Sequence, residues 1–124
     1  MDLKEVMNKK SFVIVGDTLS EEKFAYKIKH RMIENGYEVY CVGKELTSIN
    51  QVPIDIDIID LCINPVKGLI FMLECTKPFQ CVVIQPGAQG DELKSYLSEK
   101  NIPYIENCLL IGLDKYKSQL CPLQ

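Results

Sequence analysis

A chain of 124 residues with 47% hydrophobic content has the size of one ordinary domain and enough apolar material for a sizeable core, so residues 1–124 are read as a single unit. Its 14 Lys plus Arg stand against 17 Asp plus Glu, a net charge of −3, which leaves no general positive field to steer it onto a nucleic-acid backbone. The opening MDLKEVMNKK carries no apolar signal-peptide core, and the longest strongly apolar stretch, 69–73, is too short to span a bilayer; a cytoplasmic protein without a membrane partner is expected.

Residues 11–15 form a β-rich run that ends at Gly16, and a polar stretch leads from there to Ala25, Ile28, Met32 and Ile33, which recur at helical spacing. Ser20 is placed to cap this helix, with Glu21 and Glu22 in its first turn and Asn35-Gly36 at its end, predicting a helix over 21–34. Residues 37–42 read as a second strand, 44–51 as a loop with one helical turn, and 56–63 as a third strand rich in β-branched residues. Asn64-Pro65 then caps a second helix that ends near Lys77-Pro78, with Val66, Leu69, Ile70 and Leu73 on one face. Residues 81–85 are a fourth strand, and Pro86-Gly87 turns the chain into a helix over 91–100 with Leu93, Tyr96 and Leu97 inward. Residues 103–106 make a short fifth strand. The tail, 114–124, is assigned only to the surface.

Strands alternating with helices at this spacing imply right-handed crossovers. The expected fold is α/β and Rossmann-like, three layers with a five-stranded, mainly parallel sheet and helices on both faces. Burial on both faces also explains why the strand runs are nearly continuous in apolar residues. Cys41, Cys62, Cys75, Cys81, Cys108 and Cys121 are scattered and mostly lie within apolar runs. None has the C-x-x-C spacing of a zinc or thioredoxin-like site, so Cys41, Cys62 and Cys81 are read as small buried apolar residues, and no metal site is assigned.

Open parallel sheets bind ligands beyond the carboxyl ends of their strands, which directs attention to the turn Gly16-Asp17-Thr18-Leu19-Ser20. A dinucleotide fingerprint needs three glycines, and this turn has one, so NAD binding in the standard manner is disfavoured. Helix-start amides, the hydroxyls of Thr18 and Ser20 and the charge of Lys23 could hold a phosphate, although a strand-to-helix turn also needs a small residue for structure alone. The turn Gln85-Pro86-Gly87-Ala88-Gln89 is the second candidate, although taken alone a tight turn explains it better than a binding role does.

The run from Gly16 through Lys23 and Tyr26 to Glu34-Asn35-Gly36-Tyr37-Glu38-Val39, then Asp57-Ile58-Ile59-Asp60, Gln85-Pro86-Gly87-Ala88 and Asn107-Cys108-Leu109, carries a resemblance across about 12–112. In this order the residues resemble the small CoA-binding domain proteins, single-domain relatives of the CoA-binding module of succinyl-CoA synthetase α chains. The resemblance implies a Rossmann-like protein that holds coenzyme A or an acyl-CoA by its nucleotide and pyrophosphate part, without catalysing a reaction. Carried over by position, the contacts are Gly16, Asp17, Thr18, Lys23 and Tyr26 around the phosphates. Val42, Gly43 and Lys44 lie along the adenosine, and Asn64, Pro65, Gln85, Pro86 and Gly87 complete the cleft. Cys108 corresponds to a cysteine typical of the family.

The chain departs from the family where Asp17 and Thr18 stand for the common Ala and Ser, and where Lys23 stands for Arg. Gly43-Lys44 replaces Asn-Pro, and Ile63-Asn64 replaces a basic pair. A carboxylate at residue 17 repels a pyrophosphate unless it turns away or meets a cation.

Other functions are weighed on the same residues. The single His30 lies mid-helix between Lys29 and Arg31, a setting for a solvated side chain rather than a catalytic base, so no catalytic residue is assigned. Asp57 and Asp60, three apart on a strand, face opposite sides and do not pair; they are expected at the strand start and at a sheet edge or helix N-terminus. Cys108 is read either as a buried thiol or as one able to form a mixed disulfide with a thiol ligand. An interaction module with a decayed cleft is the alternative to CoA binding, with Tyr116 and the tail serving a partner or a homodimer.

Overall fold

The structure is a computed structural model that describes residues 1–120. Its strands are β1 (Ser11–Gly16), β2 (Glu38–Gly43), β3 (Ile58–Cys62), β4 (Cys81–Ile84) and β5 (Tyr104–Glu106). Its helices are α1 (Leu3–Met7), α2 (Phe24–Glu34), α3 (Pro65–Glu74), α4 (Asp91–Glu99) and α5 (Leu109–Leu120), with a single 3₁₀ turn at Ile49–Gln51. The sheet has the order β2-β1-β3-β4-β5, and every neighbouring pair is parallel. This is the expected Rossmann-like α/β sandwich, with β3 at its centre between β1 and β4.

β1 is buried along its whole length, because alternate residues serve opposite faces. Phe12 and Ile14 join Ile58 and Val83 beneath α1, α2 and α5, whereas Val13 and Val15 join Ile59, Leu61, Val82 and Ile84 beneath α3 and α4. Leu93 and Leu97 face inward as expected, and Tyr96 packs against the same core while half-buried. Among the described residues no helix is long and apolar enough to cross a membrane.

Several elements differ from expectation for local reasons. α1 was not expected; Asp2 and Glu5 form a reciprocal capping box, and Leu3, Val6 and Met7 bury themselves where α1 meets α5. The tail is not featureless, since α5 occupies Leu109–Leu120; Cys121 lies outside the described residues. α2 begins three residues later than the Ser20 cap predicts. Ser20 Oγ donates to Asp17 at 2.8 Å, its carbonyl accepts the Lys23 amide at 3.0 Å, and Lys23 becomes an N-cap without a side-chain hydrogen bond. α3 presents Val66, Ile70 and Leu73 outward, 70%, 50% and 58% exposed, while Gly68 and Met72 are its buried residues. Cys41 and Cys81 are buried as expected, whereas Cys62 is only partly so.

Asp57 and Asp60 have opposite surroundings. Asp57, at the start of β3, accepts the amides of Lys10 and Ser11 at 3.0 and 3.1 Å and Gln80 Nε2 at 2.8 Å. Burial pushes its pKa upward, but those amides outweigh it and hold the carboxyl below its ordinary value. Asp60 lies neither at an edge nor at a helix N-terminus. It sits mid-β3 between Ile14 of β1 and Val83 of β4, fully buried, and neither carboxylate oxygen has a partner among the described residues. Burial drives its pKa well above the ordinary 3.8.

A folded-state pKa raised above the unfolded one means that the folded chain keeps a proton the unfolded chain releases. The stability is therefore complete below the unfolded value and falls as pH climbs toward the raised one. Asp60→Asn should flatten this slope, so that the variant loses less stability than the natural chain as pH rises above the ordinary carboxylate value. Urea unfolding at a series of pH values measures it; parallel slopes for the two proteins would show that Asp60 does not titrate on unfolding.

Candidate functional site

The order β2-β1-β3 reverses the chain's direction of travel between β1 and β3, so α2 leaves β1 on one face and α3 leaves β3 on the other. A crevice opens between such diverging connections at the carboxyl edge. Three backbones meet at its floor, with Gly16 in register with Gly43 on one side and Cys62 on the other. A Cβ on Gly16 would run into the Cys62 carbonyl oxygen and lie 3.1 Å from Ala25 Cβ. One on Gly43, where φ is +127°, would lie 2.8 Å from the Gly16 carbonyl oxygen. Glycine is thus required at both positions by contact within the sheet.

Above this floor two adjoining cavities share Asp17, Lys23 and Ile63. The larger, about 510 Å³, extends over Gly43 and Lys44 to Lys67, Ile70 and Phe71; the other, about 430 Å³, extends over Ala25 and Cys62 to Asn64, Pro86 and Gly87. Eight of the expected site residues therefore line one cleft: Gly16, Asp17, Lys23, Gly43, Lys44, Asn64, Pro86 and Gly87. Lys23, Lys44 and Lys67 oppose a single lining carboxylate, so the cleft is locally positive in a chain that is negative as a whole.

That carboxylate is engaged by its own loop while it lines the cleft. Asp17 Oδ1 accepts the amides of Leu19 and Ser20, both at 3.1 Å, and Oδ2 accepts the Ser20 hydroxyl at 2.8 Å. The Ser20 hydroxyl first, with the neighbouring amides and the Lys44 charge, holds its pKa below the ordinary value against the opposing effect of desolvation. The repulsion expected at residue 17 is met by folding the side chain into its own loop.

The other expected contacts lie elsewhere. Thr18 is buried, and its hydroxyl donates to Glu45 at 2.6 Å; Glu45 in turn pairs with Lys29 at 2.8 Å. Burial would raise the Glu45 pKa, but the hydrogen bonds from Lys29 and Thr18 prevail and lower it, so the group ties the β1–α2 loop to the loop after β2. Tyr26 packs against His30 in a tilted contact, with ring centroids 4.2 Å apart, and Val42 is core. Pro65 opens α3 on the side facing Gly90. Gln85 is buried, and its Oε1 accepts the Leu109 amide at 2.9 Å, which satisfies the start of α5.

Cys62 reaches the cleft, but burial first, and then the nearby Asp60 and Cys108, push its thiol up to about 12. It stays protonated near neutrality and is a weak nucleophile there.

A family model described as a CoA binding domain matches residues 10–114. The chain belongs to this CoA-binding family. The matched span agrees with the resemblance read from the sequence and includes every residue lining the cleft. No curated protein matches the chain. Among solved structures it is similar to a hypothetical protein from Pyrococcus horikoshii OT3, with a TM-score of 0.80 at 19% identity over 92% of this chain and 89% of that one. It is similar also to a Thermus thermophilus protein, with a TM-score of 0.77 at 20% identity over 93% and 98%. A conserved hypothetical protein from Pyrococcus furiosus gives 0.72 at 23% identity over 83% and 98%. At these identities the likeness establishes the fold.

Within this CoA-binding chain, Lys67, Ile70 and Phe71 were missing from the sequence reading of the cleft. The available signal was Lys67 in the turn that Asn64 caps: Asn64 Oδ1 accepts the Lys67 amide at 3.0 Å, which fixes the lysine at the rim.

Gly16→Ala should destabilise the fold by about 1–3 kcal/mol, because the new methyl group meets backbone that cannot yield without parting β1 from β3. Thermal unfolding without ligand tests this, and an unshifted Tm would mean that the floor is looser than described. Gly16→Val, an obvious probe of ligand contact, should unfold the protein before it reports on binding.

Proposed function

We propose that the protein binds coenzyme A or an acyl-CoA through the nucleotide and pyrophosphate part, in the cytoplasm, without catalysing a reaction on it. The observation that carries this reading is the convergence of Lys23, Lys44 and Lys67 on a cleft beside the start of α2 in a chain of the CoA-binding family. Lys23 caps α2 without a side-chain hydrogen bond, so the first-turn amides of that helix remain available to a phosphate oxygen. Three ammonium groups add point charges suited to a pyrophosphate, without the bidentate geometry that Arg would impose. The adenosine then lies along Gly43 and Lys44, against Ile63, Ile70 and Phe71, and the rest of the ligand runs toward Asn64, Pro86 and Gly87.

A binding role without chemistry is supported by the side chains at hand. His30, the only histidine, is exposed on α2 and packs against Tyr26, outside the cleft lining. The Cys62 thiol is held protonated.

Isothermal titration of the reduced protein with CoA, acetyl-CoA, ATP and NAD tests the reading, with CoA and acetyl-CoA expected to bind and NAD not. Lys23→Ala and Lys67→Ala should each weaken CoA binding by about 1–3 kcal/mol, and the loss should shrink at high salt. Unchanged affinity in both variants would remove the phosphates from this end of the cleft. NAD binding as tight as CoA would overturn the ligand class.

A further inference from the structure

α3 divides its surface three ways. Gly68 and Met72 face the sheet, Lys67, Ile70 and Phe71 face the cleft, and Val66, Leu69 and Leu73 face a groove shared with α4. The groove consists of two depressions of about 200 and 330 Å³ that share Leu69, Asp91 and Glu92. Val66 is 70% exposed and Leu73 58%, one turn to either side of Leu69. A ridge of large aliphatic side chains is therefore left in water on a helix that already has its own buried residues.

The rim of this groove has one sign. Asp91, Glu92 and Glu99 line it, and among the described residues no lysine or arginine does. Lys67 belongs to the cleft, and Lys94 turns to Glu106 at 3.6 Å. Asp91 and Glu92 also suit the first turn of α4, but Glu99 stands at the carboxyl end of that helix, where the macrodipole disfavours an acid. Helix stability therefore does not account for its charge. An apolar floor with an acidic wall complements an amphipathic helix that carries aliphatic side chains at i, i+3 and i+7 and basic side chains along one flank. It opposes an anionic lipid surface, and in a two-fold pairing of this groove with itself the acids of both copies would be drawn together.

We propose that the α3–α4 groove is a docking site for a basic amphipathic helix of a partner protein. The site is separate from the cleft and does not depend on the ligand bound there.

The test uses the full chain and two synthetic amphipathic peptides with the same leucine ridge, one flanked by lysines and one by glutamates. In amide-resolved NMR titration the lysine peptide should shift Val66, Leu69, Leu73, Ser95 and Glu99 and leave Gly16 and Gly43 in place. The glutamate peptide should bind at least about tenfold more weakly, the scale of two or three partly exposed charge pairs. Leu73→Asp should abolish binding of the lysine peptide, and the paired change Glu92→Lys with Glu99→Lys should invert the preference between the peptides. Both variants alter exposed side chains, and far-UV circular dichroism checks that they fold. Equal affinity for the two peptides, or shifts scattered over the surface, would overturn the proposal. So would concentration-dependent broadening of the α3 amides without peptide, which would assign the groove to a second copy, or anionic vesicles displacing the lysine peptide from it.

Discussion

The carboxyl ends of β2, β1 and β3 come together so closely that no side chain fits between them. Gly16 abuts the Cys62 carbonyl, and Gly43 abuts the Gly16 carbonyl. Backbone alone therefore forms the floor of the cleft, and the chain leaving each strand has to diverge. α2 goes to one face and α3 to the other, which opens the crevice and brings the start of each helix to its rim. Below the rim, Thr18, Glu45 and Lys29 link the loops after β1 and β2. The site is positioned by a steric constraint in the sheet, and its charged residues are added around it.

Much of this was legible in the sequence for reasons that remain local in the structure. The strands are runs of apolar and β-branched residues buried on both faces, and Asn64-Pro65 starts α3 because its side-chain acceptor and its fixed φ act within one turn. Gly16, Gly43 and Gly87 mark places where the chain turns or approaches another strand. What was not legible depends on competition between side chains. Ser20 is a good cap by residue type, but Asp17 takes its hydroxyl, and α2 starts later. Thr18 and Gln85 look available for a ligand until Glu45 and the Leu109 amide engage them. α1 left a signal in the Asp2 and Glu5 pair, but five residues show too little periodicity to stand out.

Asp57 and Asp60 show how little residue type and strand position say about a carboxylate. Both lie near or within β3, three residues apart. Asp57 finds backbone amides at the open start of the sheet and becomes a clamp between β1 and β3. Asp60, inside the sheet, has neighbours whose amides and carbonyls belong to the ladders, so its carboxyl is buried without a partner among the described residues and is held protonated. The number of unspent donors within reach decides between them. A sequence carries no direct record of that number.

α3 applies the same reasoning to apolar residues. From Leu69 to Leu73 every position is apolar, so a stripe at i, i+3, i+4 and i+7 can be drawn on more than one side of the helix; of the one that stands out in the sequence, Val66, Ile70 and Leu73 are exposed and Leu69 packs partly buried against the core. The orientation of α3 is set at its amino end, where Asn64 fixes the first turn, and by Met72, which packs with the core beneath α3 and α4. Once those are in place, Lys67 can only stand at the cleft and Val66 and Leu73 can only stand outside it. The cleft's third lysine and the exposed ridge therefore share one cause, the rotation of a helix whose hydrophobicity could not choose a face.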